Sequence, residues 1–273
     1  VNERYLPRYR HEQIRIMQNS FVTDAINLKA YNLSESDKII VMYSKDKGLI
    51  RGVAKGVKKP KSKLGARMDL LVANTLMLHK GKNLDTICQA EVLNTFNKTR
   101  QDIDKIFYSM YVTEVVNNFG LEEDPSSEVI YNLLYKALNT ISSAQNKVEI
   151  LIAVIKFQLK MMIESGFSLE FDTCLHCQCN IGEETMYFIP TAGGVVCKNC
   201  AGKLYSAKKQ MPHKLRDFFK QMAINDFDEI GEYETKANEK VCTVSFQVLK
   251  EYIELKSPKK FKSTEMLQDV QPV

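Results

Sequence analysis

The sequence predicts an α+β chain of several domains. A small N-terminal β-barrel of five strands leads into an α-helical domain with an inserted four-cysteine metal module. Three observations carry this prediction. From Phe21 to Phe96 apolar residues alternate in five short runs divided by turn residues. Beyond Phe96 the apolar period lengthens to that of a helix. Two Cys-x2-Cys pairs, Cys174/Cys177 and Cys197/Cys200, stand nineteen residues apart.

Residues 1–16 are polar and aperiodic and read as a flexible extension, with Val1 and Met17 both possible starts of the product. The barrel is expected over 17–97. In FVTDAINLKAY the alternation puts Val22, Asp24, Ile26, Leu28 and Ala30 on one face. NLSESD is a turn cluster, KIIVMYS a second strand and KDKG a hairpin turn. LIRGVAKGV is a third strand, bent at Gly52 or Gly56. LLVANTLMLHK and DTICQAEVLNTF, joined by GKN, complete the five. Short antiparallel strands in this number fit a closed barrel, of which the OB type commonly grips nucleic acid.

The helical domain is expected over 98–171 and 205–256. Ile103, Ile106, Phe107, Met110 and Val115 share one helical face. Asp124 with Pro125 reads as the start of a second helix. KVEILIAVIKFQLKMMIESGF is apolar nearly all round, so it is expected at the centre and stopping near Gly166. Further helical patterns lie near Lys214–Ala223 and Cys242–Leu255, and 257–273 reads as a disordered tail.

Charge is unevenly spread. The chain has 273 residues and a net charge of +5, yet residues 17–95 hold thirteen Lys/Arg against seven Asp/Glu. RGVAKGVKKPKSKLGAR, residues 51–67, carries seven basic residues and no acid. Such a run is often a solvated loop. On a barrel, beside Lys45, Lys47, Lys80 and Lys82, it suits a phosphate backbone. Tyr31 and Tyr43 are available for base stacking or equally for the core.

Residues 172–204 form the expected metal module. A Cys-x2-Cys knuckle points two sulfurs at one ion, and Met186–Ile189 with Val195–Val196 reads as the hairpin that returns one knuckle to the other. Four thiolates fill the coordination sphere of Zn²⁺, so one structural ion is expected at Cys174, Cys177, Cys197 and Cys200. His176 and Cys179 are alternative ligands, and the coincidental spacing of reduced core cysteines is the bland alternative. Cys88 and Cys242 fall in apolar patterns and read as buried. Reduced cysteines, together with no visible signal peptide and no spanning stretch, favour a cytoplasmic, nucleoid-associated protein.

No G-x4-G-K-[ST], H-x-E, H-E-x-x-H or G-x-S-x-G occurs, so no catalytic residue is assigned and an enzyme is not expected.

Several blocks resemble the RecO family of bacterial recombination mediators. They are Thr23-Asp24-Ala25-Ile26, Ser34-Glu35-Ser36-Asp37-Lys38, Gly48, Ala54-Lys55-Gly56, Lys61-Ser62-Lys63-Leu64-Gly65, and Leu84-Asp85-Thr86 through Gln89-Ala90-Glu91. With the helical middle and both cysteine pairs, the resemblance covers about residues 17–255. It implies an OB-fold, a helical domain and a zinc module, although some members lack the cysteines. It also implies binding of single- and double-stranded DNA and annealing of complementary strands. RecR and the single-stranded DNA-binding protein would be partners, with RecA loaded onto the coated strand. For DNA contact it supports Lys38, Arg51, Lys55, Lys61 and Lys63, and charge alone adds Lys58, Lys59 and Arg67. The alternative reading is a nucleic-acid-modifying enzyme that uses the barrel to grip substrate; a further one is a scaffold for an acidic partner.

Overall fold

The computed structural model describes residues 19–203 and 208–263. The expected extension, 1–16, and the tail beyond 263 lie outside them. The chain divides into two units, one running to Phe96 and including Gly120–Asn132, the other holding Asn97–Phe119 and the chain from Leu133.

In the first unit the alternating runs form β1 (Ser20–Asn32), β2 (Lys38–Ser44), β3 (Gly48–Ala54), β4 (Ala73–His79) and β5 (Asp85–Asn94). The strands pair in the order β1-β2-β3-β5-β4, and β4 pairs back with β1 to close the circuit. All pairs are antiparallel except β3 with β5, where Gly52 and Val53 run parallel to Asp85 and Thr86. The expectation of a wholly antiparallel barrel is corrected there.

The interior is built from Ala25, Ile40, Met42, Ala54, Leu76, Leu78 and Ile87, with Phe21 and Ala30 packed against them. The expected inward face of β1 therefore holds only in part. Val22 is 64% exposed, while its neighbours Phe21 and Ala25 serve the interior. A register shift between Asn27 and Lys29 then turns Ala30 inward as well. One extra residue in a strand changes which face later side chains occupy.

Gly120–Asn132, expected in the helical domain, belongs with the barrel. Glu122 bridges to Gly48, and Asp124 accepts a hydrogen bond from the buried Tyr43 hydroxyl at 2.9 Å. Tyr43 is thus a core residue, not a stacking platform. Its hydroxyl is pushed well above its ordinary range, first by burial and then by Asp124.

The second unit contains α1 (Ile103–Phe119), most of α2 (Ser127–Ser143), α3 (Lys147–Glu164), α5 (His213–Ile224), α6 (Glu232–Thr235) and α7 (Glu239–Lys256), with the short α4 (Lys198–Ala201) between α3 and α5. Asn146 and Asn238 cap α3 and α7 by accepting from the Glu149 and Val241 amides, both at 3.0 Å. Helix α3 is buried at Ile150 and Leu151 and without a break from Ala153 to Leu159, close to what its all-round apolar pattern predicts. Gly166 follows it at φ +77°.

The tail expectation fails between 257 and 263. Phe261 is buried with its ring 5.9 Å from that of Tyr111, and the Lys262 and Ser263 amides donate to Glu114. Among the described residues, no helix is long and apolar enough to cross a membrane.

One charge is buried at the centre of α3. Lys156 Nζ lies 2.9 Å from Glu234 Oε1, the side chains being 1% and 8% exposed. It also donates to the Asp226 and Glu229 carbonyls, both at 2.8 Å. All three protons are satisfied, and the chain from Asp226 to Glu234 is drawn onto α3. Lys156→Ala should lower stability by about 3 kcal/mol, because it strands Glu234 without its partner. Lys156→Met with Glu234→Gln should lose less. Denaturant midpoints of the two variants check the order.

Candidate functional site

Six of the seven basic residues in the 51–67 run lie on the loop that follows β3. This loop is attached to the barrel from within. Val57, Leu64 and Met68 are 7%, 9% and 1% exposed and belong to the barrel's interior cluster. The spacing of these apolar residues leaves Lys55, Lys58, Lys59, Lys61, Lys63 and Arg67 on the outside, all exposed.

Polar bonds complete the attachment. Asp37 accepts from the Gly56 amide at 2.7 Å, and Gly56 turns at φ +63°, a conformation glycine adopts without strain. The Asp37 carboxyl is held below its ordinary pKa, chiefly by that amide and then by the Ser36 hydroxyl. The Lys58 amide and ammonium donate to the Ser36 and Ser34 carbonyls at 3.1 and 2.8 Å. Ser62 Oγ accepts from the Leu64 and Gly65 amides and so starts the 3₁₀ turn Gly65–Met68. Buried Asn27 and Asn74 both donate to the Arg67 carbonyl, at 2.8 and 2.9 Å. These two asparagines are the site residues that sequence reasoning missed. Their signal was a polar residue set into an apolar strand run, AINL and VANT.

The expected DNA-contact set divides in two. Lys38 is half-buried at the start of β2, opposite Ala54, where β3 passes into the loop. Among the described residues, neither Lys38 nor any of the six loop cations is in an ion pair with a carboxylate. Arg51 differs: it lies mid-strand with Nη1 3.0 Å from Glu122 Oε1. Tyr31, 48% exposed and opposite Ile39, lies near Lys38, and Lys29 Nζ stands 5.0 Å from its ring centre.

The metal candidates lie in the second unit. β6 (Met186–Ile189) and β7 (Gly194–Cys197) form the expected hairpin, and β8 (Lys209–Met211) adds to β6, carrying the module past its expected end at 204. In the first knuckle the Gln178 amide donates to the Cys174 carbonyl at 2.9 Å, with Gln178 at φ 60°. The left-handed turns of the module therefore fall at Gln178 and at Gly193, φ +71°.

The sulfurs of Cys174, Cys177, Cys179 and Cys197 all lie within 4.8 Å of one another. Three of these are the expected ligands, and the other is Cys179, the alternative one. Cys200, expected as the fourth, has its sulfur 3.6 Å from His176 Nδ1. Burial opposes ionisation of Cys174, but amides of Cys177, Cys197 and His176 outweigh it and bring its pKa down to about 6. The Cys177 sulfur pushes Cys179 up to about 12, and burial followed by Cys177 does the same to Cys200. Thiols this crowded resist ionising together unless a cation joins them, so the donor set fits a dication such as zinc. Cys242 is buried as expected, whereas Cys88 is exposed on β5, contrary to its apolar pattern.

Comparison with known proteins agrees along nearly the whole chain. The family model described as Recombination protein O N terminal matches residues 17–96, and that described as Recombination protein O C terminal matches 100–265. The DNA repair protein RecO of Desulforamulus reducens is 29% identical over 247 residues, 89% of this chain and 92% of its own. That of Thermoanaerobacter sp. is 28% identical over 251 residues, 91% and 97% of the two chains. That of Rubrobacter xylanophilus is 31% identical over 175 residues, 64% and 69%.

If apolar anchors hold the basic loop in place, Met68→Ala should cost about 2–5 kcal/mol. It should also release the Lys58 and Ser62 amides to hydrogen exchange before the barrel strands exchange. Denaturant titration with exchange mass spectrometry reads both effects. Loss of stability without faster exchange at those amides would deny the anchoring.

Proposed function

The chain belongs to the recombination protein O family, RecO, and from that premise we propose that it is a DNA repair and recombination mediator. It binds single- and double-stranded DNA, anneals complementary strands and has no catalytic centre. The single observation that carries this reading is the ordered loop with six exposed cations, none of them ion-paired to a carboxylate among the described residues. Its strand order and single parallel pair suit an OB-type barrel.

The mechanism is electrostatic. Two single strands approach against the repulsion of their phosphates, and each lysine that contacts a phosphate replaces a condensed counterion. With Lys38, Lys55, Lys58, Lys59, Lys61, Lys63 and Arg67 at one edge, both strands meet a surface that lowers this repulsion. Tyr31 offers one exposed ring nearby for a base to stack on. RecR and the single-stranded DNA-binding protein are the proposed partners, and RecA is loaded afterwards. The proposed place of action is the cytoplasm, at the nucleoid.

The module is proposed to hold one Zn²⁺ through Cys174, Cys177 and Cys197, with Cys200 or Cys179 as fourth ligand. A zinc ion in an all-thiolate site supplies folding energy and leaves no position for substrate.

Annealing of complementary oligonucleotides, bare and coated with cognate single-stranded DNA-binding protein, across a salt series tests the reading. Each phosphate contact on a single strand contributes about 0.7 to the salt slope. Replacing Lys58, Lys59, Lys61 and Lys63 with alanine should therefore flatten the slope by up to about 2.8 and slow annealing. An unchanged slope moves the DNA site elsewhere.

Zinc should be present at one equivalent by elemental analysis, and Cys197→Ser should lose both the ion and the module's thermal transition. A melting curve unaffected by that change rejects the structural role. Cobalt spectra of Cys179→Ser and Cys200→Ser then identify the fourth sulfur, since only loss of a ligand alters the thiolate charge-transfer band.

A further inference from the structure

A second group of cations on the barrel is matched, one for one, to carboxylates of a single short segment. Lys45 Nζ lies 3.1 Å from Glu128 Oε1, Lys47 Nζ 3.3 Å from Glu123 Oε1, and Arg51 Nη1 3.0 Å from Glu122 Oε1. Lys47 and Arg51, with Lys80, line an open cleft of about 440 Å³, and Glu122 and Glu123 form part of its wall.

The main chain sets this segment in place. The Leu49 amide donates to the Leu121 carbonyl and the Glu123 amide to the Lys47 carbonyl, both at 2.8 Å. The approach requires glycine at position 48, which has φ +69° and where a Cβ would stand 2.3 Å from the Leu121 oxygen. Asp124 fixes the far side through the buried Tyr43 hydroxyl. The carboxylates are thus held over the cations by bonds that do not depend on their own charge.

Ion pairs this exposed contribute little to stability. Their consequence for a polyanion is larger, because a phosphate must displace a carboxylate to reach either cation. We propose that Glu122 and Glu123 occupy the positions that phosphodiester oxygens take when a nucleic-acid strand enters this cleft. The segment then competes with DNA for Arg51 and Lys47 and restrains binding on this side of the barrel. The proposal rests on the reading of the barrel as DNA-binding, and the two are separable by experiment.

The test is binding of a fluorescent oligothymidylate, followed by anisotropy over a salt series. Glu122→Gln/Glu123→Gln should bind several-fold more tightly at low salt and steepen the slope by up to about 1.4, two contacts of about 0.7 each. Its melting temperature should match wild type, since the backbone bonds remain. Glu183→Gln/Glu184→Gln removes two exposed charges from the second unit and should change neither quantity. In an Arg51→Gln background, Glu122→Gln should bring no further gain. If wild type and variant both fail to bind, the DNA reading falls and the competition with it. If wild type binds and the variant matches it, or the control gains equally, only the competition is overturned.

Discussion

Six cations on a loop of thirteen residues repel one another, and the site depends on what keeps them together. Two like charges about 8 Å apart in water repel by about 0.5 kcal/mol, less with salt. Burying Val57, Leu64 and Met68 in the barrel opposes this with about 1.5–3 kcal/mol for each side chain. Six cations make fifteen such pairs, and once salt screens them to about a third the apolar contribution prevails; Asn27 and Asn74 direct it to one geometry by taking up the Arg67 carbonyl. The barrel interior thus shapes a field outside it. A flexible chain of the same composition would spread its charges apart and meet a strand only at an entropic cost.

Much of this was legible in residue order, and the misses share a cause. The five strands, the helix beginning near Lys147 and the cysteine hairpin follow from local periodicity, which reports the environment of neighbouring residues. The inward face of β1 was misread because the shift at Asn27/Lys29 depends on pairing with β2, about a dozen residues away. Tyr43 became core because its hydroxyl meets Asp124, whose place beside the barrel no period encodes. Cys88 sits in an apolar run yet faces solvent, since alternation alone does not say which face of β5 is covered. The Asp226–Glu234 stretch, with few apolar residues, offered no pattern at all. It is placed by one buried ammonium.

The cysteines show the same boundary between local and non-local order. Spacing correctly brings Cys174, Cys177 and Cys197 together, because a knuckle and a two-stranded hairpin are short-range structures. It does not rank Cys179 against Cys200. That choice depends on how the Gln178 turn carries the chain back, and on His176 taking a place beside Cys200.

The two basic groups differ in a way that composition conceals. Lys45, Lys47 and Arg51 count toward the same positive charge as the 55–67 loop, and sequence reasoning set Arg51 among the DNA contacts. Yet these three face carboxylates of Leu121–Glu128, which net charge records only as a subtraction distributed over the chain. A field that attracts a polyanion is made by cations without local partners. By that measure the loop after β3 is the proposed entry point for a strand. The hairpin side would join only where phosphate outcompetes a carboxylate held at about 3 Å by main-chain bonds. On the proposed reading, binding would begin at one edge and extend across the other as phosphates displace acids. Its second stage would then be governed by Glu122 and Glu123 more than by the number of lysines.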